Sequence, residues 1–448
     1  MNQTEFMDLL RYYFRRISEA ELQDILSDYE SHFKEGKARG LTEEEICREL
    51  GSPKAVYEMY LHEGMIHEKE GVPLPDAAQL AGAAGKIAGT AFSIANALGP
   101  IPMIFGGLIN DRFGPKFVIA AGGISMGFGL YASGNAESVS ELIVFYGLFF
   151  GTGLSLVYGC TINNTLKFFP DHRGLVGGLA TAAYGISSVL VPPIATQLIS
   201  VYGITNALEI MGVFIGGVIV IGGFLSMRCP VGFTPSMAVE KQCVEIGRNY
   251  TWREMLRDAR FLPMITLFTC GATAGMMVIS QSFFIARHQI ALDVASAAMA
   301  VSCMALANTF GRLCAGTASD YLGRLPTLGA GLGIAIIGLI LLALGSPANT
   351  LPFYCGLIAL GFSFGCFMGV YPGFTAQVFG ARHNGVNFGI MFTGFALAGI
   401  LGPTLMQLLS AMGFSETGHY CAAGTISALG FVMMFLYRKA ERLRIRSK

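Results

Sequence analysis

The chain has 448 residues, of which 53% are hydrophobic and only 13% are charged, and its mean hydropathy is +0.54. This composition excludes an ordinary soluble protein and places most of the chain in lipid. The formal net charge is zero, but residues 1–75 hold 9 Lys and Arg against 16 Asp and Glu, a net of −7. The remainder, with 21 (30 − 9) against 14 (30 − 16), is +7, so we expect an acidic soluble piece attached to a membrane body.

Residues 1–65 have the pattern of a small helical domain, followed by a linker at 66–80. Apolar residues at helical spacing predict a first helix through Phe14 and a second helix that Gly40 ends. Thr42 and Glu45 have the spacing of a capping box for a third helix, and Pro53 is suited to the start of a fourth.

This segment resembles a known family of small helical domains, the HAAS or DUF1700 type, which is fused to bacterial signalling membrane proteins. The resemblance covers nearly all of 1–65 and implies a cytosolic module that docks a regulatory protein. A helical appendage without a retained role is the alternative. The matching stretches are Asp24-Ile25-Leu26-x-Asp28-Tyr29-Glu30-x-His32-Phe33, Thr42-Glu43-Glu44-Glu45-Ile46 and Leu50-Gly51-Ser52-Pro53.

After the linker, the chain contains eleven apolar runs that are long enough to span a membrane. Glycine and other small residues are frequent in them, which suits close contacts between helices in lipid. The sequence therefore predicts an all-α polytopic membrane protein. The runs are about 87–109, 117–136, 141–162, 175–199, 205–227, 261–286, 294–316, 325–345, 352–374, 386–409 and 417–437.

Two stretches recur at a nearly constant offset, which predicts two related halves. Gly107, Asp111 and Gly114 recur 209 positions later as Gly316, Asp320 and Gly323. The run from Pro193 to Ser200 recurs 210 positions later, from Pro403 to Ser410. In transporters built this way, the substrate lies between the halves near the middle of the membrane.

Both turns fit G-x-x-x-D-R-x-G-x-K/R, the signature of the major facilitator superfamily, so the chain resembles that superfamily. The resemblance implies a two-half helical bundle. We expect an N-terminal half at 81–228, a central cytoplasmic loop at 229–260, and a C-terminal half with a basic tail at 261–448.

The loop charges predict an orientation, but the number of runs conflicts with the superfamily pattern of twelve. Eighteen of the 21 Lys and Arg after residue 75 lie in alternate connections or the tail, so the C-terminus is expected to be cytoplasmic. The run 87–109 matches the superfamily's second helix, and 66–86 is too polar to be the first. Three explanations stay open: the 76–110 region bends back within the membrane, the N-terminal domain is external, or the chain is a fused or truncated gene product.

Within the superfamily, residues 85–440 resemble the oxalate:formate antiporter-like branch. That resemblance implies a secondary carrier, an antiporter or proton symporter, for small organic anions. The matching motifs run from Ala91 to Lys116, from Lys167 to Leu175, from Gly311 to Asp320, and from Tyr371 through Gly380 and Asn387 to Thr393.

Arg312 is the main candidate for substrate binding. It stands eight positions before Asp320, about two helical turns inside the membrane, where an unpaired guanidinium is costly and should face a cavity or a partner. Its planar fork suits a carboxylate. Snorkelling or pairing near the cytoplasmic end is the alternative.

The charge at the site predicts the class of anion. In the oxalate carriers, the resemblance implies an arginine at the position of Arg312 and a lysine in the penultimate helix, which hold the two carboxylates. Here the expected place of that lysine is Phe395, and no lysine occurs between Arg382 and Arg438. One fixed cation predicts a monocarboxylate such as formate, lactate or pyruvate.

Further residues are candidates for lining the cavity or for gating. Polar groups inside the runs suit hydrogen bonding to a ligand, although helix packing explains each equally well. The resemblance implies that each turn aspartate braces the start of a helix in the other half, and simple turn formation is the alternative. The lining candidates are Tyr158, Tyr184, Gln281, Asn308 and Tyr371; the gating candidates are Gly107, Asp111, Arg112, Gly114, Lys116, Gly316, Asp320, Gly323 and Arg324.

The sequence shows no nucleophile and base array, no metal-ligand cluster and no nucleotide loop, so we expect no enzyme, metal site or cofactor. The expected partners are a small carboxylate, the lipid bilayer and a cytosolic regulatory protein bound by residues 1–65, without nucleic acid. A non-transporting sensor or scaffold is the alternative function. The missing first helix favours that alternative, because this helix normally helps to wall the cavity.

Overall fold

The computed structural model describes residues 3–14, 19–62, 94, 97–136, 138–230, 233 and 248–446. The chain divides into two compact units, Met1–Gly85 and Lys86–Lys448. The regular structure of the described residues is helical, apart from an isolated bridge between Ser346 and Asn349. This confirms the all-α fold, while the predicted linker at 66–80 lies outside the described residues.

The first unit has a hydrophobic core of its own. Its helices are α1 (Gln3–Phe14), α2 (Glu19–Ala38), α3 (Glu43–Leu50) and α4 (Pro53–His62). Side chains from these helices, such as Phe6, Phe33, Ile46 and Val56, are buried together. The start of α3 is closed by the predicted capping box: Thr42 Oγ1 accepts from Glu45 N at 3.4 Å, and the Glu45 carboxylate accepts from Thr42 N at 2.9 Å.

The second unit begins with four long helices. Prolines at the first positions of two of them suit a helix start, because proline lacks the N–H group that would be unpaired there. The third is wound as a π-helix over Ile143–Phe150. The four are α5 (Pro100–Phe113), α6 (Pro115–Gly134), α7 (Val139–Phe168) and α8 (Arg173–Leu225).

A short helix, α9 (Trp252–Arg257), precedes the remaining spans. Two of those spans are each broken into a pair of helices, at 280–281 and at Phe392. The helices are α10 (Phe261–Ile279), α11 (Ser282–His288), α12 (Val294–Leu322), α13 (Arg324–Leu344), α14 (Leu351–Phe379), α15 (Asn384–Met391), α16 (Thr393–Ala411) and α17 (Glu416–Arg446).

Among the described residues, nine helical segments are long and apolar enough to cross a membrane. The 53-residue α8 would be about 80 Å long if straight, against a hydrocarbon core of about 30 Å, and its backbone breaks at Gly203 (φ 78°). It therefore supplies two spans, which we call the first arm (173–202) and the second arm (204–225). The predicted first run, 87–109, lies partly outside the described residues, and the rest of it belongs largely to the 14-residue α5.

The two halves repeat each other in backbone conformation as well as in sequence. Gly114 and Gly323 have φ of 90° and 89°, and Gly203 and Gly413 have φ of 78° and 79°. These left-handed conformations favour glycine, and they recur at offsets of 209 and 210 residues. The internal duplication therefore extends from the first turn to the last helix.

Candidate functional site

Arg312 lies in α12, ten residues or about 15 Å before that helix ends at Leu322. Only 8% of it is exposed. Its Nε donates to Asn308 Oδ1 at 3.1 Å, and its Nη1 donates across the two halves to the Thr181 carbonyl of α8 at 2.8 Å. No described acidic residue forms an ion pair with it. The structure thus places an uncompensated cation between the halves, and its contacts are with neutral groups.

Tyr158 of α7 lies beside this guanidinium. Its hydroxyl is buried and has no hydrogen-bond partner among the described residues. Tyr184, which its ring contacts, precedes Gly185, where a Cβ atom would lie 3.4 Å from Arg312 Nε. The Tyr158 ring meets Tyr184 edge-on, with centroids 4.8 Å apart, and Phe392 at 5.6 Å. An unpaired hydroxyl near a guanidinium that has no described acidic partner is a suitable pair of donors for an anion.

Stacked aromatic rings extend from Tyr158 into the C-terminal half. Phe392 stacks on Phe395 at 4.7 Å, and Phe268 stacks on Tyr371 at 4.0 Å. The Tyr371 hydroxyl donates to the Met264 carbonyl at 2.8 Å, so this hydroxyl holds helices together and only the ring belongs to the cluster. Phe395, at the position expected for a lysine, is 7% exposed.

The structure brings together Arg312, Asn308, Tyr158 and Tyr184 on one side and the rings of Tyr371 and Phe395 on the other. Gln281 lies apart from them. About 16 Å of helix separates Phe268 in the cluster from Ile279, the last residue of α10 before Gln281. The sequence reasoning did not select Phe268 or Phe392, because their helices are apolar on all sides and the sequence does not show which face turns inward.

The second turn joins the two halves at one end of the bundle. Asp320, with 8% of its side chain exposed, accepts hydrogen bonds from the backbone N–H groups of Gly174 at 2.8 Å and Leu175 at 2.7 Å, at the start of α8. Arg324 donates to the same carboxylate at 2.7 Å. Gly316 lies one turn earlier, where a Cβ atom would meet the backbone of Gly178 at 2.7 Å. This arrangement has the geometry of a helix-start brace, and a gating role for it stays a prediction.

We expect Asp320→Asn to loosen the start of α8, because charge-assisted hydrogen bonds are roughly twice as strong as neutral ones. If the start of α8 loses about 2 kcal/mol of local stability, the amide exchange rates of Gly174 and Leu175 should rise by more than about tenfold. Hydrogen-exchange mass spectrometry measures these rates. Asp171→Asn is the matched control, since Asp171 is exposed in the same loop. Equal exchange in the two variants would contradict the bracing role.

The first turn is built differently from the second. Asp111 Oδ1 accepts from Lys167 Nζ of its own half at 2.7 Å, and its Oδ2 is buried without a described partner. Arg112 and Lys116 are exposed. Gly107 instead makes the contact between halves, because a Cβ atom there would lie 2.6 Å from the Gly385 carbonyl oxygen. The first turn therefore approaches the start of α15 mainly through the backbone of Gly107, and Asp111 Oδ2 lies at the same contact, 3.2 Å from where a Cβ atom on Gly385 would be.

The segment 248–260, which precedes α10, forms hydrogen bonds with two helices at the same end of the bundle. Tyr250 N donates to the Phe379 carbonyl at 2.8 Å, and Asn387 Nδ2 donates to the Tyr250 carbonyl at 3.0 Å. Asp258 is paired with Arg260 at 2.8 Å. Burial raises the pKa of Asp258, but the hydrogen bonds and charge of Arg260 outweigh that effect and hold this pKa below its ordinary value. The segment 248–260 thus ties α15 to the end of α14.

The paired halves, the buried cation between them and the two turns define a polytopic membrane transporter. Residues 72–403 and 288–447 match the family model of the Major Facilitator Superfamily. The chain belongs to the Major Facilitator Superfamily. Residues 5–59 match the HAAS family model, so the resemblance of the N-terminal segment is also confirmed.

Several curated proteins are similar to this chain over most of its length. The uncharacterized MFS-type transporter YhjX of Escherichia coli K12 is 29% identical, over 66% of this chain and 72% of that protein. The oxalate:formate antiporter of Oxalobacter formigenes is 27% identical, over 70% and 74% of the two chains. Human monocarboxylate transporter 11 is 26% identical, over 76% and 71%.

Solved structures show the same fold at low identity. The proton:xylose symporter XylE, bound to 6-bromo-6-deoxy-D-glucose, aligns with a TM-score of 0.65 at 14% identity and covers 79% of this chain and 86% of its own. The human organic anion transporter MFSD10 aligns with a TM-score of 0.61 at 14% identity, over 96% of both chains. At this identity the likeness concerns the fold alone.

Proposed function

We propose that this protein is a secondary carrier of small monocarboxylates, which it moves by exchange or with protons. The observation that carries the proposal is Arg312, a buried guanidinium between the halves without a described acidic partner. A carboxylate supplies the charge that such a cation lacks, and it can accept from both the fork and the free Tyr158 hydroxyl.

The fixed charge supports one carboxylate rather than two. Phe395 stacks on Phe392 at the place where a second cation is expected, and the sequence has no lysine between Arg382 and Arg438. A second carboxylate of the substrate would lose its water and face aromatic rings, which costs several kcal/mol without a paired cation. The names of the similar antiporter and monocarboxylate transporter agree with a small organic anion.

Membrane vesicles from the organism that carries the gene test this function. Vesicles with the protein should exchange labelled formate, lactate or pyruvate faster than vesicles from a deletion strain. Equal rates would overturn the carrier proposal, whereas saturable binding without exchange would support the sensor alternative.

We expect Phe395→Lys to shift the selectivity towards a dicarboxylate, because it adds a second cation near Arg312. The concentration of oxalate that halves monocarboxylate binding should fall at least about tenfold. This corresponds to a gain of about 1.4 kcal/mol in the binding free energy of oxalate. Phe395→Leu is the control for lost stacking. If both variants bind oxalate equally weakly, the charge-matching argument fails.

We infer further that the end of the bundle with both turns and the C-terminus face the cytoplasm, and that residues 1–65 bind a cytosolic regulatory protein. Loop charges support the orientation, and the HAAS match with its separate core supports the binding role. A protease-protected tag at residue 2 tests the side on which the N-terminal unit lies. A tag outside the cell would exclude a cytosolic partner.

A further inference from the structure

In the C-terminal half, α10 covers a face formed by α16 and α17. A Cβ atom on Gly394 would lie 2.9 Å from Thr269 Oγ1 of α10, and one on Gly402 would lie 2.8 Å from the Met276 Cβ. Ala398 of α16 and Ala423 of α17 are fully buried. This face is thus a helix-binding surface whose occupant is visible.

The same face recurs in the N-terminal half, where no helix of the described part of the chain covers it. The repeat offset of 210 residues maps Ala423 to Val213 (423 − 210) and Ser427 to Gly217 (427 − 210). Ala423 and Ser427 are fully buried, whereas Val213 is 67% exposed and a Cβ atom on Gly217 would meet nothing within 4 Å. The change from buried to exposed at equivalent positions indicates an empty helix position rather than a different fold.

In the first arm of α8, residues are also exposed where their counterparts in the C-terminal half are buried. Ala398 and Met406, which are 0% and 4% exposed, correspond to Ser188 (398 − 210) and Thr196 (406 − 210), both of which are exposed. Both arms of α8 therefore contribute to one uncovered surface. We call it the open face, and it consists of Ser188, Thr196, Ile210, Val213 and Gly217.

No helix of the described residues occupies this position. The counterpart of α10 is 51–69 (261 − 210 to 279 − 210), and within it α4 already contributes Val56 to the core of the first unit. The following residues, 66–86, carry five charged side chains, which is too polar for a membrane span.

The candidate site is incomplete on this side. In the C-terminal half, α10 contributes Phe268 to the aromatic cluster, whereas the sequence counterpart of Phe268 is Glu58 (268 − 210). Tyr184, next to Tyr158, is the counterpart of Gly394 (394 − 210), which contacts α10. As far as the structure describes the chain, the wall beside Tyr184 therefore lacks the helix that its counterpart has.

We propose that the open face binds one apolar transmembrane helix of a separate polypeptide, in the position that α10 occupies in the other half. Such a helix needs about 20 apolar residues. Glycine, serine and threonine on the open face allow close approach of its backbone, as at other helix contacts in membranes. On α10, the side chains that meet this face are Ile265, Thr269 and Met276, which approach Gly394 and Gly402 of α16.

Site-specific photocrosslinking of the full chain in membranes of its own organism tests the proposal without relying on transport. Benzoylphenylalanine is introduced in place of Val213 or, as a control, Val218. Both are exposed valines on the second arm of α8, at 67% and 53%, but five residues place them about 140° apart around the helix. The adducts are then sequenced by mass spectrometry.

We expect position 213, and not position 218, to yield an adduct with an apolar transmembrane segment of a different polypeptide. An adduct with a second copy, of about twice 47.8 kDa, would overturn the proposal in favour of self-association. Adducts with residues 63–96 of the same chain, or lipid adducts alone from both positions, would overturn it as well. Because the readout is a covalent adduct, its failure is separate from a failure of the carrier proposal.

Discussion

Arg312→Ala is expected to lower kcat/KM for monocarboxylate uptake by at least about 100-fold. Removing one partner of a buried charge pair costs about 3 kcal/mol or more, because the other charge is left without compensation in a medium that solvates it poorly. The bound carboxylate would face Tyr158 alone, since no described acidic or basic residue replaces the guanidinium. Uptake by vesicles measures this loss.

Two further arginine variants distinguish the effect of the positive charge from the effect of the guanidinium's shape and from a general effect of losing an arginine. Arg312→Lys keeps the cation but loses the planar fork that bonds Asn308 and Thr181, so its uptake should lie between that of the parent and that of the alanine variant. Arg287→Ala removes an exposed guanidinium from the far end of α11 and should leave uptake unchanged. Thermal unfolding confirms that each variant is folded. Parent-level uptake by folded Arg312→Ala would exclude Arg312 from the site.

Sequence periodicity and the internal duplication were sufficient to predict the fold class and the two related halves. Eleven apolar runs, the capping box at Thr42 and the related halves all follow from local patterns, since helix propensity, capping and span length depend on residues near each other in sequence. The break at Gly203 also fits, because the sequence predicts two runs there. Local signals of this kind do not depend on which helices become neighbours.

The composition of the candidate site was only partly predictable. Arg312 could be selected because a charge inside an apolar run is rare and costly. Phe268 and Phe392 gave no such signal, because ring stacking depends on helix rotation, and an all-apolar helix does not show its inward face. The different roles of Asp111 and Asp320 were also hidden, since Lys167 lies 56 residues away from Asp111.

The two turns show how one repeated motif can provide two kinds of contact. Asp320 uses charge and hydrogen bonds to hold the start of α8, whereas Gly107 uses close backbone approach to hold the start of α15. Hydrogen bonds to a carboxylate tolerate small shifts, but a contact without side chains does not. The contact at Gly107 should therefore be the more sensitive of the two to added volume.

Gly107→Val is expected to abolish transport while leaving substrate binding measurable. A Cβ atom at this position would lie 2.6 Å from the Gly385 carbonyl oxygen and 2.8 Å from Val386 N, so backbone rather than a flexible side chain would have to move. The halves could then no longer close at this end, and a carrier that cannot close one end cannot alternate access. We expect the uptake rate to fall by at least about 100-fold, which corresponds to a rise of about 2.7 kcal/mol in the free energy of closing this end.

Gly222→Val is the matched control, because it adds the same side chain to a spanning helix where a Cβ atom would meet nothing within 4 Å. Its uptake should equal that of the parent. Hydrogen exchange gives a second readout: amides at the start of α15 should exchange faster in Gly107→Val only, because the lost contact lies there. Normal uptake by Gly107→Val would mean that the close contact with Gly385 is not needed in the transport cycle.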